Sequence, residues 1–383
     1  MIVAVDTLFM SKQFRHTGTG VYLSHVLSEF LKIAGESTGE IEFHGFMPPD
    51  DNWANNGFVS SFLHVHTAPI LARKRLWLLG GMAVHTARTR PDVVFLPTAH
   101  HSLPGRSAPV VTTIHDAIPK QLPPDLLTHA APLHAMTWLN ARLARKIVTV
   151  SAWSRRDLME IYRVPPEKVE VVYNGYDKRL YNTIAPDPGA SAALLSRFGI
   201  RRPFVLHHGM VQLRKNVHRL IQAWDRIAES SRSFDAQLVL AGPMGIGYEK
   251  ILKGREASPR REQIIVSGAL PEADLSTLVK NASLCVIPSL YEGFCLPMVE
   301  AMACGVPTVA SDCSCIPEIS GRVLEYFAPD SVEEMAQTIR RALEDTGLRE
   351  RLHVRGLERA AEFSWERCAR ETWRILAETA GSS

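Results

Sequence analysis

The sequence lacks the features that mark membrane-spanning and nucleic-acid-binding proteins. No apolar run approaches the roughly 18 residues that a spanning helix needs. The chain opens on Ile2–Asp6, which is typical of a strand and not of a charged leader followed by an apolar signal. Lysine and arginine number 43 against 40 acidic residues, so the net charge of +3 gives no nucleic-acid signal. We therefore expect a cytoplasmic protein that binds no nucleic acid.

Cysteine is absent from the first half of the chain, and metal-ligand spacing is missing where cysteine does occur. Cys313-Ser-Cys315 is too closely spaced for the usual zinc ligands, and no second Cys or His pair completes a tetrahedral set. The pairs His100-His101 and His207-His208 lack ligand spacing as well, and we interpret them as sheet-end or cleft residues. The sequence predicts buried reduced thiols and no metal site.

Short β-branched runs alternate with helical periodicity along the chain, which indicates parallel sheets covered on both faces. The expected strands lie at 2–6, 41–46, 93–97, 110–116, 146–151, 169–174, 204–209, 237–242, 264–268, 284–288 and 307–311. A stretch rich in helix breakers at 181–202 marks a boundary. The pattern predicts two doubly wound α/β domains, at 1–180 and 181–363, followed by an amphipathic helix within 364–383.

The most informative segment is Tyr291-Glu-Gly-Phe-Cys-Leu-Pro-Met-Val-Glu300. It follows an apolar strand and opens a short helix in which Pro297 suits the first position. Glu292 is then expected on the loop and Glu300 on the first helical turn. Their spacing does not suit a pair on one helix surface. Both can instead face the carboxyl end of a parallel strand, where open α/β sheets bind ligands.

A basic pair occupies a similar position earlier in the second half. Arg214 and Lys215 lie just before the end of the segment Gly209-Met-Val-Gln-Leu-Arg-Lys-Asn216, which follows a strand and opens a helix. They lie where they can meet a phosphate, with help from the N–H groups of the helix N-terminus. The alternative is a solvated basic turn. Because a cation opposes the dipole at a helix start unless an anion is present, an anion site is favoured.

Residues 291–307 resemble the signature of the retaining glycosyltransferases of the GT-B fold, family four in the usual sequence classification. That family has Glu-Gly-Phe-Gly-Leu-Pro and then Glu-Ala-Met-Ala-x-Gly-x-Pro, and this chain matches through Glu300–Pro307. Cys295 replaces the usual glycine, and this departure bears only on how closely the backbone at that residue approaches the donor. The resemblance implies two Rossmann-like domains facing across a cleft. The first binds the acceptor and the second the nucleotide-sugar donor, while the C-terminal helix crosses back onto the first.

The resemblance also implies roles for particular residues. Arg214 and Lys215 match the family's cations on the donor diphosphate. Glu300 matches the carboxylate on the ribose hydroxyls, with a simple helix-dipole carboxylate as the alternative. Glu292 matches the residue that binds donor-sugar hydroxyls, with a loop carboxylate in water as the alternative. The other donor-binding candidates are Gly209, Leu270 (expected against the base), Gly293, Phe294, Cys295 and Leu296.

Two elements of the first half complete the predicted site. Thr17-Gly-Thr-Gly-Val-Tyr22 is interpreted as a glycine-rich loop after the first strand. Relatives place such a loop against the donor diphosphate and the acceptor, so Gly18 and Gly20 are candidates, and a structural turn is the alternative. His115 ends a strand, and by resemblance it lies near the donor sugar, with Asp116 orienting it or supporting the loop.

The function implied is transfer of a hexose with retention at the anomeric carbon, without a cofactor and without a donor-bound metal. GDP-mannose is the first expectation for the donor, followed by UDP- or dTDP-sugars. A saccharide or lipid-linked saccharide is expected as the acceptor. A GT-B epimerase, a phosphorylase-like enzyme and a catalytically silent binding scaffold are the alternatives. The basic and apolar stretch at 71–79 is interpreted as a surface helix, or as a peripheral contact with the inner membrane face.

Overall fold

The computed structural model of the protein describes residues 1–11, 17–37, 41–47, 61–67, 82–99, 108–117, 130–230 and 235–381. The stretch at 71–79 and the pair His100-His101 lie outside these residues. The described residues form two compact units, one drawn from 1–175 and 364–381 and the other from 176–363. Among the described helices, none combines the length and the apolar character that a bilayer crossing requires.

Strands and helices alternate along the chain, as the periodicity predicted. The strands are β1 (Ile2–Asp6), β2 (Glu42–Met47), β3 (Leu63–Thr67), β4 (Val93–Leu96), β5 (Val110–Thr113), β6 (Lys146–Thr149), β7 (Val169–Val171), β8 (Phe204–His208), β9 (Gln237–Ala241), β10 (Ile264–Gly268), β11 (Leu284–Ile287), β12 (Thr308–Ser311) and β13 (Glu325–Phe327). The α-helices are α1 (Gly18–Glu36), α2 (Met82–Thr89), α3 (Ala130–Leu143), α4 (Ala152–Ile161), α5 (Pro188–Arg197), α6 (Val217–Ser230), α7 (Tyr248–Ala257), α8 (Glu272–Asn281), α9 (Leu296–Ala303), α10 (Ile316–Ile319), α11 (Val332–Glu344), α12 (Thr346–Ala360) and α13 (Trp365–Gly381).

The first unit is built on a parallel sheet with the strand order β3-β2-β1-β4-β5-β6-β7 in the described part of the chain. An aromatic cluster joins this sheet to α1 and α13. The ring of Phe30 lies 5.6 Å from that of Phe43 and 5.7 Å from that of Trp373. Aromatic pairs at such separations add to the stabilisation that burial already provides.

The last helix of the chain belongs to this first unit. Trp365 begins α13, is buried, and stacks on His25 with ring centroids 5.0 Å apart. Its backbone crosses directly over Gly175, where an added Cβ would lie 2.0 Å from the Trp365 nitrogen. Farther along, Arg374 donates to Glu170 over 2.5 Å. The C-terminal helix therefore returns to the first unit, as expected from the fold class.

The second unit has a parallel sheet with the order β10-β9-β8-β11-β12-β13. Its core includes the apolar face of α6, which α11 covers. The residues that recur at helical spacing along α6 are each at most 2% exposed: Val217, Leu220, Ile221, Trp224 and Ile227. Two parallel doubly wound sheets with flanking helices confirm the predicted fold class.

Three local expectations differ from the structure. The strands β3 and β13 were not predicted, since β3 alternates apolar residues with histidine and β13 has three residues, so neither is a continuous apolar run. The Thr17–Tyr22 segment was expected to be a loop, but Gly18 already begins α1. Thr17 caps that helix, because its Oγ1 accepts from the Gly20 N–H over 3.2 Å.

Candidate functional site

Three glycines follow neighbouring strands at the carboxyl edge of the second sheet. Gly209 follows β8, Gly242 follows β9 and Gly268 ends β10, with φ values of +119°, +147° and +70°. The Gly242 N–H donates to the Gly268 carbonyl over 2.9 Å. An added Cβ on Gly242 would lie 1.8 Å from the Gly209 carbonyl oxygen. Only glycine permits this backbone contact, so the chain after β8 is held tightly against the chain after β9.

The segment after Gly209 positions the two predicted cations. Leu213–Lys215 forms a 3-10 turn, and Asn216 adopts a left-handed conformation with φ of +59° before α6 begins. The Asn216 side chain donates to the Pro329 carbonyl over 2.6 Å, which anchors the turn. Arg214 and Lys215 therefore lie immediately before the helix N-terminus, as the sequence predicted.

A buried ion-pair cluster unites Arg214, Lys215 and Glu292. One Arg214 nitrogen, Nη1, donates to the Tyr291 carbonyl over 2.6 Å and to Glu292 Oε2 over 3.2 Å. The Lys215 Nζ donates to Glu292 Oε1. Glu292 is only 5% exposed, so the interpretation of it as a loop carboxylate in water is wrong. The solvated basic turn is excluded too, because Lys215 is buried.

Two serine hydroxyls hold Glu292, one through its carboxylate and the other through its backbone N–H. Ser289 Oγ donates to Glu292 Oε1 over 2.6 Å, and the Glu292 N–H donates to Ser314 Oγ over 3.0 Å. Sequence reasoning missed both serines. Ser314 lies beyond β12 and reaches Glu292 because β11 and β12 are neighbours, which residue spacing does not reveal.

The charge state of Glu292 follows from its neighbours. Burial by itself would raise the pKa of this carboxyl, but the charges of Lys215 and Arg214 and the hydrogen bonds from Lys215 and Ser289 lower it to about 2. Glu292 is thus an anion at neutral pH. With two cations and one anion, the cluster keeps one positive charge for a negatively charged ligand.

Cys295 shows why the related signature carries glycine at this position. It precedes α9 with φ of +70°, a left-handed conformation that glycine adopts without steric cost. Gly293, Phe294 and Cys295 are buried, whereas Leu296 at the start of α9 is half-buried. The cysteine side chain is accommodated in the interior. All six cysteines are free, and four of them are buried as expected, whereas Cys304 and Cys313 are half-buried.

Glu300 faces a histidine that the sequence did not connect with it. The helix begins at Leu296, one residue before the predicted start, so Glu300 is its fifth residue and lies just past the first turn. The Nε2 atom of His208, at the end of β8, lies 3.3 Å from Glu300 Oε2. The His208 side chain is 1% exposed and that of Glu300 is 16% exposed, so the Glu300 side chain is partly accessible to a ligand.

The remaining candidates fall on separate parts of the molecule. Leu270 is half-buried and lies in the turn between β10 and α8. His115 lies beyond β5 in the first unit and is half-buried, with Nε2 placed 2.9 Å from the Pro97 carbonyl. Its ring meets that of Tyr22 edge to face at 4.9 Å. Gly18 and Gly20 occupy the first turn of α1, and a Cβ on Gly18 would meet open space.

Family models match most of the chain. A model described as "Glycosyl transferases group 1" matches residues 197–359, which include Arg214, Lys215, Glu292 and Glu300. A second, described as "Glycosyltransferase Family 4", matches residues 45–180. The two matches together cover both compact units.

Individual relatives and one solved structure add detail. The chain is 30% identical over 378 residues to the O-antigen chain mannosyltransferase B of Escherichia coli, covering 93% of this chain and 94% of that one. It is 32% identical over 185 residues to the serotype-specific mannosyltransferase WbdA of Escherichia coli, covering 46% of this chain and 22% of that one. The crystal structure of Anabaena Alr3699/HepE in complex with UDP and glucose superimposes with a TM-score of 0.75 at 18% identity, covering 99% of this chain and 100% of that one.

Proposed function

The chain belongs to the GT-B glycosyltransferases of the family four kind, and on that premise we propose that it transfers a hexose from a nucleotide diphosphate sugar to a saccharide or lipid-linked saccharide, with retention at the anomeric carbon. The coarser activity, glycosyl transfer in glycan assembly, follows from family membership. The observation that supports the finer proposal is the buried cluster of Arg214, Lys215 and Glu292 at the carboxyl edge of the second sheet.

The cluster suits a diphosphate leaving group. Negative charge grows on the diphosphate as the bond from the anomeric carbon to the phosphate oxygen breaks. Arg214 and Lys215 are held in place before the ligand arrives, so they stabilise the transition state without reorganising. Each charge-assisted hydrogen bond contributes about 1.5–3 kcal/mol net. In the proposed complex the diphosphate takes over part of the hydrogen bonding that Glu292 now accepts.

Glu292 and Glu300 then bind hydroxyl groups rather than acting as an acid and base pair. A carboxylate accepts hydrogen bonds, and Glu292 is ionised at neutral pH because its pKa is about 2. Glu292 is assigned to the donor-sugar hydroxyls and Glu300 to the ribose hydroxyls. Because both the sugar and the ribose of the donor then have fixed partners, the anomeric carbon is held in one orientation. Such positioning lowers the barrier to transfer.

Retention requires the new bond to form on the face from which the diphosphate leaves. In the proposed reaction the acceptor oxygen attacks that face, and its proton passes to the departing diphosphate oxygen. No protein nucleophile and no metal ion takes part. Analysis of the product's anomeric configuration by NMR tests this step. A product of inverted configuration would refute retention and leave the transferase activity standing.

GDP-mannose is the proposed donor. The two mannosyltransferases named above support the sugar. The solved relative with UDP and glucose supports a different nucleotide, but its 18% identity speaks only for the fold. Calorimetric titration with GDP, UDP, dTDP and ADP, without added metal, separates these possibilities.

Micromolar binding of GDP, with the other nucleotides weaker, is the expected result of this titration. Preferential binding of UDP or dTDP would mean that the donor is a UDP- or dTDP-sugar, and it would not contradict the proposed transferase activity. Binding of none would favour the catalytically silent scaffold. After the nucleotide is known, turnover of the corresponding sugar nucleotide without any acceptor would point to an epimerase, and turnover that requires inorganic phosphate to a phosphorylase-like enzyme.

A further inference from the structure

One carboxylate and three imidazoles gather at the edge of the first unit's sheet. Glu42 and His44 lie on β2, and His64 and His66 lie on β3. The two strands are parallel, with His44 opposite His64 and Phe46 opposite His66. Because residues two apart on a strand share a face, all four polar side chains project from the same side of the sheet. Sequence reasoning overlooked this cluster because β3 itself was not predicted.

The ligand atoms of three of these residues converge. Nε2 of His44 lies 3.4 Å from Glu42 Oε2, and Nε2 of His64 lies 3.9 Å from the same oxygen. One ligand atom from each of the three lies within 4.8 Å of the other two. In a tetrahedral site with bonds of about 2.1 Å, two ligand atoms lie about 3.4 Å apart, so small side-chain movements complete the geometry.

From this convergence we propose that Glu42, His44 and His64 bind a divalent transition-metal ion, with zinc as the best fit. Two imidazoles and one carboxylate form a borderline ligand set that suits zinc and its first-row neighbours better than magnesium or calcium. The side chains of Glu42 and His64 are 46% and 49% exposed, so an ion reaches them from solvent. The fourth coordination position is left to water.

His66 serves as a positioning residue for this site. Its Nε2 lies 3.0 Å from His44 Nδ1. When His44 binds a metal through Nε2 it carries its proton on Nδ1, and that N–H then donates to His66. Metal-binding histidines in general donate their second ring N–H to such an acceptor, which fixes the tautomer and the ring orientation. Phe46 stacks on the other side of the His66 ring at 5.0 Å.

The ion would join the two outermost strands of the sheet. In the described part of the chain β3 is an edge strand that pairs with β2. A metal held by Glu42 and His44 on one side and by His64 on the other ties this edge down through side chains. Its role is to hold these two strands together, and it does not depend on the donor cluster of the second unit.

Titration of the untagged protein with zinc chloride in competition with a chromophoric chelator tests the proposal. One zinc ion per chain is expected, with an affinity that His64→Ala weakens by about 100-fold or more and His66→Ala by about 10- to 100-fold. His64→Cys, which keeps a zinc ligand, is expected to restore binding. His134→Ala, on a half-buried histidine of α3 in the same unit, is the matched control and binds like the wild type.

Two further measurements test the site without relying on the binding affinity. Cobalt substitution is expected to give the visible absorption of a nitrogen- and oxygen-ligated ion in the wild type and to lose it in His64→Ala. Hydrogen exchange of residues 63–67 is expected to slow when zinc is added. Absence of stoichiometric zinc binding in the wild type, or equal affinity in His64→Ala and the wild type, would overturn the proposal.

Discussion

Lys215 is buried and bonds directly to a buried carboxylate. Its effect on activity can therefore be distinguished from that of a surface lysine. Its ammonium is held by Glu292 in the absence of a ligand, and Arg214 contacts the same carboxylate. Removing the lysine leaves Glu292 one cationic partner, so the site loses a phosphate ligand without leaving the carboxylate wholly unpaired. Function should suffer more than folding.

We predict that Lys215→Ala lowers kcat/KM by about 100- to 1000-fold, as the loss of one preorganised transition-state donor does. Unfolding free energy should fall by no more than about 3 kcal/mol, the lower end for breaking a buried ion pair. Steady-state kinetics and denaturant unfolding measure the two effects. Lys253→Ala, on an exposed lysine of α7, is the control. Unchanged turnover in folded Lys215→Ala protein would contradict the assigned site.

His208 gives a second prediction at the residue scale. Because its Nε2 lies 3.3 Å from the Glu300 carboxylate, it orients the group assigned to the ribose. Ribose contacts are equal in the ground and transition states, so His208→Gln should raise the KM for the donor about 10-fold with little change in kcat. His134→Gln, on a half-buried histidine of α3 in the first unit, serves as the control. A fall in kcat at constant KM would show that His208 does not act through donor binding.

The residues of the donor site were predictable to the extent that they carry a local motif. Arg214 and Lys215 precede a helix, and Glu292 lies in a recognisable signature, so their convergence at one sheet edge followed from strand polarity. The contacts of Ser314 with Glu292 and of His208 with Glu300 depend on which strands are neighbours. That information is not local, and the motif alone does not contain it.

At the scale of elements, the three glycines at the strand ends allow the loops that follow β8 and β9 to lie in close contact. Gly242 has φ of +147° and no space for a side chain. Gly254, within α7, is exposed and an added Cβ there would meet nothing within 4 Å. The same substitution at these two positions should therefore have opposite effects.

We predict that Gly242→Ala destabilises the second unit and abolishes nucleotide binding, because the new Cβ would lie 1.8 Å from the Gly209 carbonyl oxygen. Gly254→Ala should raise the unfolding free energy by about 0.5–1 kcal/mol, the usual gain of alanine over glycine inside a helix. Chemical denaturation and nucleotide titration of both variants check this. Comparable stability of the two would mean that the strand ends adapt more than the structure indicates.

Elements were predictable wherever hydrophobic periodicity was strong. The face of α6 follows directly from apolar residues at helical spacing. The strands β3 and β13 were not predicted, because β3 alternates apolar residues with histidine and β13 is a three-residue strand that begins with glutamate, so both give little apolar signal. The loop expected at Gly18 is a helix because Thr17 provides a cap that outweighs the weak helix propensity of glycine.

For the whole molecule, buried titratable groups give stability a defined pH dependence. Burial lowers the pKa of His207 to about 4, and burial likewise lowers that of His218 to about 4. Their ordinary value is 6.5, so between pH 6.5 and about 4 the unfolded chain binds protons that the folded chain does not, and stability falls. Glu292, with a pKa of about 2 against 4.5, continues the same trend at lower pH.

We predict that unfolding free energy falls as the pH drops from about 6.5 to about 4, and that His207→Gln, which removes one titrating group, shows a smaller slope. Denaturant unfolding across this range measures it. Glu292→Gln should reduce the loss of stability below about pH 4.5, where this carboxyl titrates in the unfolded chain. A His207→Gln slope equal to the wild-type slope would show that this histidine is protonated in the folded protein.

The two-unit organisation was predictable from the alternation of strands and helices, and the fold class followed. The return of the C-terminal helix to the first unit was expected only from the family resemblance, because Gly175 and Trp365 touch although they are far apart in the sequence. Such a contact has no local signature. It depends on the whole path of the chain.

That contact has a consequence for synthesis on the ribosome. The second unit is a continuous stretch within 176–363, whereas the first includes α13, which follows that stretch in the sequence. Trp373 covers the face of α1 and β2 around Phe30 and Phe43. This face therefore stays uncovered while the entire second unit is translated. Although domains made first usually fold first, here the later unit can finish before the earlier one. A chain released before α13 emerges would expose those aromatic rings to chaperones and to aggregation.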